Sequence, residues 1–405
     1  LAWNGPKWIA SWHNFVQETT SDFSFPDRIE IYDWTLEGDG EEMPGMVFTK
    51  SEKIEIAKML DAVHTHRINI GSLVSASRED FEAITEISHL GLAAKIEAFV
   101  GVNKSDIDLA LEADVPGVLM ELPSSDAWIT KGREKSKEQV LAQSLDIITY
   151  AKEHGLSVTF GLQDATRADE TFLKEYVQTL SSQSKLDVIS IADSMAVASP
   201  EGFKHLIRLV TQWTTLPVAI HSHNDFGLAT ANALAGLSAG ASIVTTTVNG
   251  IGERCGLTSL EEIAVALRIL YNIDIGINLE KLCELSRLVE RTTGPLISSL
   301  KPVVGERAFA WETDDFVERT RNLQSAGEDR AALPYEPDLV GNDFKFYPGK
   351  KAGREGIRWE AQKNGFDLTD EQVDKLLIEL RTLVSATESS EQTFLRLVKA
   401  ITNQG

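Results

Sequence analysis

Residues 217–248, PVAIHSHNDFGLATANALAGLSAGASIVTTTV, contain one whole repeat of the fold. The stretch opens on a short β-branched run, PVAIHS (217–222), and closes on another, SIVTTTV (242–248). The segment between them is rich in Ala and Leu and ends at AG, where a left-handed helix C-cap is wanted. A strand, a helix and a second strand in about thirty residues form a βαβ unit, which implies parallel strands with a right-handed crossover.

The same alternation extends from Arg28 to Asn272. The other short runs are RIEIYDWT (28–35), RINIGSL (67–73), AAKIEAFV (93–100), GVLMEL (117–122), SVTFGL (157–162) and DVISIA (187–192). Longer segments such as SEKIEIAKMLDAVHTH, REDFEAITEISHL and PEGFKHLIRLVTQW lie between them, with apolar residues at three- and four-residue steps. Several open with Ser or Asp followed by Glu, the signature of a helix N-cap. Eight such units predict an α/β fold closed into a (β/α)₈ TIM barrel. A doubly wound open sheet is the alternative, weakened because no Gly-rich phosphate fingerprint follows the first strand. The expected organisation is an N-terminal extension (1–27), a barrel (28–290) and a small, mostly helical C-terminal region (291–405). Within that last region, 295–345 reads as irregular and the tail as two or three helices.

Composition narrows the function. A chain of 405 residues with 42% hydrophobic and 25% charged residues can bury a sizeable core. A net charge of −22 argues against sequence-independent nucleic-acid binding, which needs a basic surface to displace phosphate counterions. Two cysteines, Cys255 and Cys283, cannot form a disulfide framework. No run reaches the roughly 18 apolar residues of a membrane span, and no charged-then-apolar leader opens the sequence. The cytoplasm is the expected compartment.

In a barrel, chemistry collects at the C-terminal ends of the strands. His221 and His223 end the seventh run, and strand side chains two apart face the same way. The eighth run delivers Asn249 at the corresponding place, and the first delivers Asp33 ahead of the acidic loop LEGDGEEMPG. Two imidazoles, a carboxylate and an amide oxygen suit Zn²⁺, Mn²⁺, Co²⁺ or Mg²⁺ with open positions for water or substrate. An isolated His-x-His pair is weak evidence. Convergence from three strand ends strengthens it.

The segments HSHNDFGLATANALAGLSAGA and TTTVNGIGERCGLTSLEEI closely resemble the isopropylmalate and homocitrate synthase branch of the DRE-TIM metallolyases. IYDWTLEGDGEEMPG, SASREDFEAI, QDATRAD, IADSMAVASPEGF and the tail segment YEPDLVGNDFKFYPGKKAGREGI are similar to that branch as well. The resemblance implies a divalent metal held by an acidic residue of the first loop and by His221 and His223, with Asn249 as a further ligand. Matching DGEEMPG to the family motif makes Asp39 the acidic ligand. The chain carries one residue more than the motif, which leaves Glu37 or Asp33 as alternatives. It also implies a 2-oxo or 2-hydroxy acid substrate, acetyl-CoA or another acyl-CoA as co-substrate, and a homodimer in which one tail completes the other subunit's site.

Several positions depart from the family pattern. The arginine before the metal ligand is Gly38, the acidic residue of the fifth strand is Gln163, and a histidine of the fourth strand is Leu119. An arginine of the third strand is Gly101, and Ser194 replaces a threonine after Asp193. Beyond the barrel, Trp311 and Phe316 fall at or near two histidine positions, and Ala332 falls at a tyrosine position with Tyr335 close by. The metal half of the site is kept, while the half that activates a thioester and moves protons is rewritten. Asp193, Ser194 and Arg167 are candidates for positioning substrate, and Glu37, Glu42 and Gln163 for handling protons. Trp34 and Trp128 hint at an aromatic pocket. Three functions follow: a C–C bond-forming synthase with a new pocket, a related lyase or decarboxylase without acetyl-CoA, or a non-catalytic metal-binding homologue. His64, His66, His89 and His154 fall at helix ends and read as caps.

Overall fold

The computed structural model describes residues 8, 10–293, 297–328, 331–382 and 390–402. Eight parallel strands close into a barrel in sequence order: β1 (Glu30–Asp33), β2 (Arg67–Ser72), β3 (Lys95–Phe99), β4 (Gly117–Pro123), β5 (Ser157–Gln163), β6 (Val188–Asp193), β7 (Val218–Ser222) and β8 (Ile243–Thr246). Closure is made by β1 pairing β8, with Asp33 opposite Thr246. Each strand coincides with one of the eight β-branched runs.

The return helices are α1 (Lys50–Ala62), α2 (Arg78–Ser88), α3 (Lys104–Glu112), α4 (Lys137–Glu153), α5 (Glu170–Gln183), α6 (Pro200–Trp213), α7 (Ala229–Leu237) and α8 (Leu260–Leu270). Their starts are fixed by side chains. Thr49 with Glu52, Ser77 with Asp80 and Ser136 with Gln139 each form a reciprocal capping box, satisfying backbone donors that a helix leaves orphaned. His154 caps α4, its ring Nδ1 lying 2.8 Å from the Tyr150 carbonyl. His66 does otherwise: Nδ1 accepts the Ile31 N–H at 3.1 Å and braces β1 from the side.

Tyr32, Trp34, Leu119, Val188, Ala219 and Ile243 pack together inside the barrel. Each large apolar side chain buried this way contributes about 1.5–3 kcal/mol. The filled interior confines any cavity to the mouth. A ninth helix, α9 (Leu282–Thr293), follows the barrel. Residues His13–Ile297 make one compact unit; the other comprises Ser298–Gly405 with the start of the chain to Trp12.

The second unit holds α10 (Asp314–Ser325), α11 (Arg354–Lys363), α12 (Asp370–Thr382) and α13 (Ser390–Thr402), with a short parallel pair of β9 (Ala310–Trp311) and β10 (Lys345–Phe346). Phe346, Ile357, Val373, Leu376, Phe394 and Val398 are among the residues of its core. α10 lies in the stretch that reads as irregular. The Asp314 carboxylate there accepts the backbone N–H groups of Gly353, Glu355 and Gly356, so one residue of α10 caps the start of α11. Among the described residues no helix is long and apolar enough to cross a membrane.

Candidate functional site

His221 lies near the end of β7 and His223 just past it, and both are almost fully buried. Their Nε2 atoms are 3.1 Å apart. With metal–nitrogen bonds of about 2.0–2.1 Å, that separation subtends about 100° at a shared ion. His221 Nδ1–H donates to Thr245 Oγ1 at 2.9 Å, and that hydroxyl donates to the Ile220 carbonyl at 3.2 Å. This relay keeps the His221 proton on Nδ1 and turns the Nε2 lone pair toward His223. A bond of this kind orients metal-binding histidines in general.

Both rings are held neutral. Burial pushes His221 well below its usual range, helped by His223 and Arg254. Burial, and then Arg254, bring His223 down to about 4. The His223 Nδ1 atom is buried without a hydrogen-bond partner. With the His221 proton on Nδ1, the 3.1 Å contact is a hydrogen bond donated by His223 Nε2–H. A shift of that proton to the unpartnered Nδ1 turns both Nε2 lone pairs to one point, as a divalent ion requires, and the pair fits one.

The expected acidic ligands divide. Asp33 is buried and engaged: its oxygens accept from the Thr35 N–H at 3.0 Å and the Thr246 hydroxyl at 3.1 Å, and burial raises it to about 7. It ties β1 to β8. Glu37 lines the cavity beside the histidines. Asp39 belongs to a one-turn helix, Gly38–Glu41, and its side chain lies outside the described residues. Among the described residues, no three His, Cys, Asp or Glu side chains are grouped to hold an ion. The Asn249 amide faces α9, where Nδ2–H donates to the Ser286 carbonyl at 3.1 Å and Oδ1 accepts the Ser286 hydroxyl at 2.5 Å. The Asn249 backbone, in the left-handed region at φ 62°, donates to Glu261.

The cavity at the barrel mouth measures about 270 Å³. Trp34, Phe99 and Trp128 make its aromatic wall, and the Trp34 ring sits 4.6 Å from that of His221. Four glutamates also reach it: Glu37, Glu42, Glu121 and Glu253. Burial, and then Glu253, push the Glu42 carboxyl up. Arg254 is the one cation among the described lining residues. Its guanidinium bonds to both Asp225 oxygens (2.9 and 3.1 Å), to Glu253 and to the Ser194 carbonyl.

The positioning candidates are distributed unevenly. Ser194 lines the cavity, with Oγ accepting the Asp164 N–H at 2.9 Å. Asp193 shapes the turn after β6, accepting from the Thr166 hydroxyl and from the Val197 and Ala198 N–H groups. Arg167 forms a two-pronged bridge to Asp164 at 2.7 and 2.9 Å. Gln163 lines the cavity and donates to Glu121 Oε2 at 3.1 Å. Trp311 and Phe316 stack on each other, with centroids 3.4 Å apart, in the other compact unit. Glu121, Glu253 and Phe99 are cavity residues that the sequence reading did not select. For Glu121 the signal was present: it follows the inward-facing Leu119 by two residues in GVLMEL.

Fold and site together define a (β/α)₈-barrel protein with a histidine pair at the C-terminal mouth. Residues 28–289 match the family described as HMGL-like. The homocitrate synthase AksA of Methanothermobacter thermautotrophicus is 37% identical over 94% of this chain and 96% of its own length. A probable 2-isopropylmalate synthase of Methanopyrus kandleri is 39% identical over 88% of this chain and 70% of its own. The HMG-CoA lyase structure from Bacillus subtilis superposes with a TM-score of 0.60 at 19% identity, covering 67% of this chain and 95% of that one, a likeness of fold. The chain belongs to the HMGL-like (DRE-TIM) family, as its motifs imply.

Proposed function

We propose that this chain is a divalent-metal-dependent enzyme that forms or cleaves a C–C bond at a 2-oxo or 2-hydroxy acid. The synthase direction, with an acyl-CoA as the second substrate, is the reading best supported by the named relatives, which are homocitrate and isopropylmalate synthases. The observation that carries it is the His221–His223 pair, neutral and converging at 3.1 Å inside the mouth.

Those two rings and an acidic residue of the first loop, Asp39 by its motif, hold the metal; Asn249 joins them only on release of Ser286. When bound, the ion supplies Lewis-acid polarisation of the 2-oxo carbonyl. The chain's own groups do the rest. Thr245 fixes the His221 tautomer. Trp34, Phe99 and Trp128 exclude water, which strengthens each electrostatic contact within. Ser194, anchored through Asp164, offers its hydroxyl to substrate oxygens.

The test is uptake of Mn²⁺, Zn²⁺, Co²⁺ and Mg²⁺ by calorimetry, then turnover on a panel of 2-oxo acids and acyl-CoA thioesters read by free CoA. Metal uptake with CoA release establishes the synthase. A metal-loaded protein that cleaves 2-hydroxy acids without CoA is the lyase. Uptake without any turnover leaves the non-catalytic homologue, and absence of uptake removes the whole reading. The homodimer belongs to the same proposal, and sedimentation velocity checks it.

A further inference from the structure

We propose that Glu121, on β4, is the proton-transfer group of this cavity; it lies beside Gln163 of β5, where the family pattern has an acidic residue. The inference rests on the functional reading above and adds to it the group that moves the proton.

Three features of the structure support it. Glu121 stands near the C-terminal end of β4 and lines the same cavity as His221 and His223. A space is kept for it: Gly161 lies opposite in register, and a Cβ there would come within 2.4 Å of Glu121 Oε1. Any larger residue would push the carboxyl away, so the glycine on β5 and the acid on β4 make sense together. The two oxygens also differ. Oε2 accepts the Gln163 amide N–H at 3.1 Å, which fixes the plane of the carboxyl, whereas Oε1 is buried with no hydrogen-bond partner. Among the described residues no cation pairs with Glu121.

A structural carboxylate at this depth would have both oxygens satisfied. One oxygen is clamped and the other, packed against Gly161, is bare, so a turn of the carboxyl toward the cavity costs no hydrogen bond at Oε1. The charges around it point the same way. Burial disfavours a negative charge most, the Gln163 amide favours it, and Glu42 and Glu253 on neighbouring loops disfavour it further. Among the described residues, Glu37, Arg254 and the neutral His221 and His223 are the other charged and titratable groups lining the cavity. The outcome is a carboxyl raised to about 7, able to be either acid or base at neutral pH.

In the synthase direction, the Glu121 carboxylate, turned into the cavity, takes the α-proton of the acyl thioester, and the C–H electron pair becomes the enolate. The enolate carbon bonds to the carbonyl carbon of the 2-oxo acid, whose π pair moves to oxygen. Glu121 then returns its proton to that oxygen, so the condensation consumes none. Water afterwards hydrolyses the thioester, its oxygen bonding to the acyl carbon as the C–S bond breaks and its proton going to the leaving thiolate. That releases the free CoA that the assay reads. Cleavage is the reverse of the condensation.

The experiment compares wild type with Glu121→Gln and Glu121→Asp on the panel described above. Glu121→Gln is expected to lower kcat by about 100-fold or more, within the range for general acid–base groups. KM and Mn²⁺ affinity stay within about twofold, and the pH–rate limb near 7 disappears. Glu121→Asp, which withdraws the carboxyl by one methylene, is expected to lose about 10-fold and to keep that limb. A Glu121→Gln enzyme with kcat within fivefold of wild type, or one whose limb persists, overturns the proposal while leaving the functional reading intact. Loss of metal uptake in Glu121→Gln assigns the side chain to the metal instead and overturns it too. A wild type that takes up metal but is inactive on the whole panel overturns the functional reading, and this proposal falls with it.

Discussion

The two ends of the barrel bury polar groups to opposite effect. Near the N-terminal ends of the strands, Arg67 donates to Glu30 at 2.8 Å and to Glu97 at 3.2 Å. Glu97 also accepts from the Tyr32 hydroxyl at 2.6 Å and the Thr159 hydroxyl at 3.0 Å, so both of its oxygens are occupied. At the C-terminal ends, Glu121 has a bare oxygen and His223 a bare nitrogen, and burial is the main cause that holds the two histidines neutral. Depth is similar and pairing is not. The lower network closes on itself and serves stability; at the mouth one oxygen and one nitrogen are left open.

That contrast is broken most directly from below. Arg67→Ala leaves Glu30 and Glu97 without their shared cation, and breaking one partner of a buried ion pair costs about 3–5 kcal/mol. Urea unfolding of the variant is expected to show that loss. A change below about 1 kcal/mol would mean that the two ends do not differ in the way described.

At the mouth the effect should register in binding instead. His221→Ala is expected to abolish measurable Mn²⁺ and Zn²⁺ uptake while the protein remains folded by circular dichroism. Thr245→Val removes only the oxygen that orients His221, and the expected cost is about 10–100-fold in metal affinity. Calorimetry on the pair separates a ligand from its support. If both variants bind as wild type does, the histidines are merely a buried pair.

The sequence made the two ends unequally legible. Eight β-branched runs alternating with capped amphipathic helices left little freedom, because period and capping are local properties and each run became a strand. His221 and His223 were found for the same reason, since two-residue spacing on a strand fixes a common face. What escaped depends on contacts distant in the chain. Glu121 looks like one polar residue in an apolar run until Gly161, forty positions on, is seen to make room for it. Asn249 stood at the expected strand end, yet its amide is turned to Ser286 on a helix beyond the barrel. Arg167, a plausible free cation in QDATRAD, is bound to Asp164 three residues earlier. Spacing predicts which face a residue occupies; it does not predict which neighbour already holds it.

The smallest expected effect sharpens the comparison through pH. Glu121 has a folded-state value of about 7 against an ordinary 4.5, so its contribution to stability is present below 4.5 and lost as pH rises through 7. His223 has the opposite sign. Its folded value of about 4 lies below the ordinary 6.5, and stability falls as pH drops from 6.5 toward 4 because the unfolded chain gains the proton first. In Glu121→Gln the histidine contribution is common to both proteins and cancels. The variant should therefore match wild type near pH 4, below the ordinary 4.5, where both side chains are neutral in the folded and the unfolded chain and nearly isosteric. At pH 8 it should be the more stable by about 1–2 kcal/mol, after allowance for partial solvent screening of the carboxylate. Urea unfolding at the two pH values measures the difference directly. The same comparison with Glu97→Gln should give no such gain at pH 8, because that substitution also disturbs the bonds to Arg67, Tyr32 and Thr159. A gain in both would show that burial alone, and not the missing partner, distinguishes the mouth from the base.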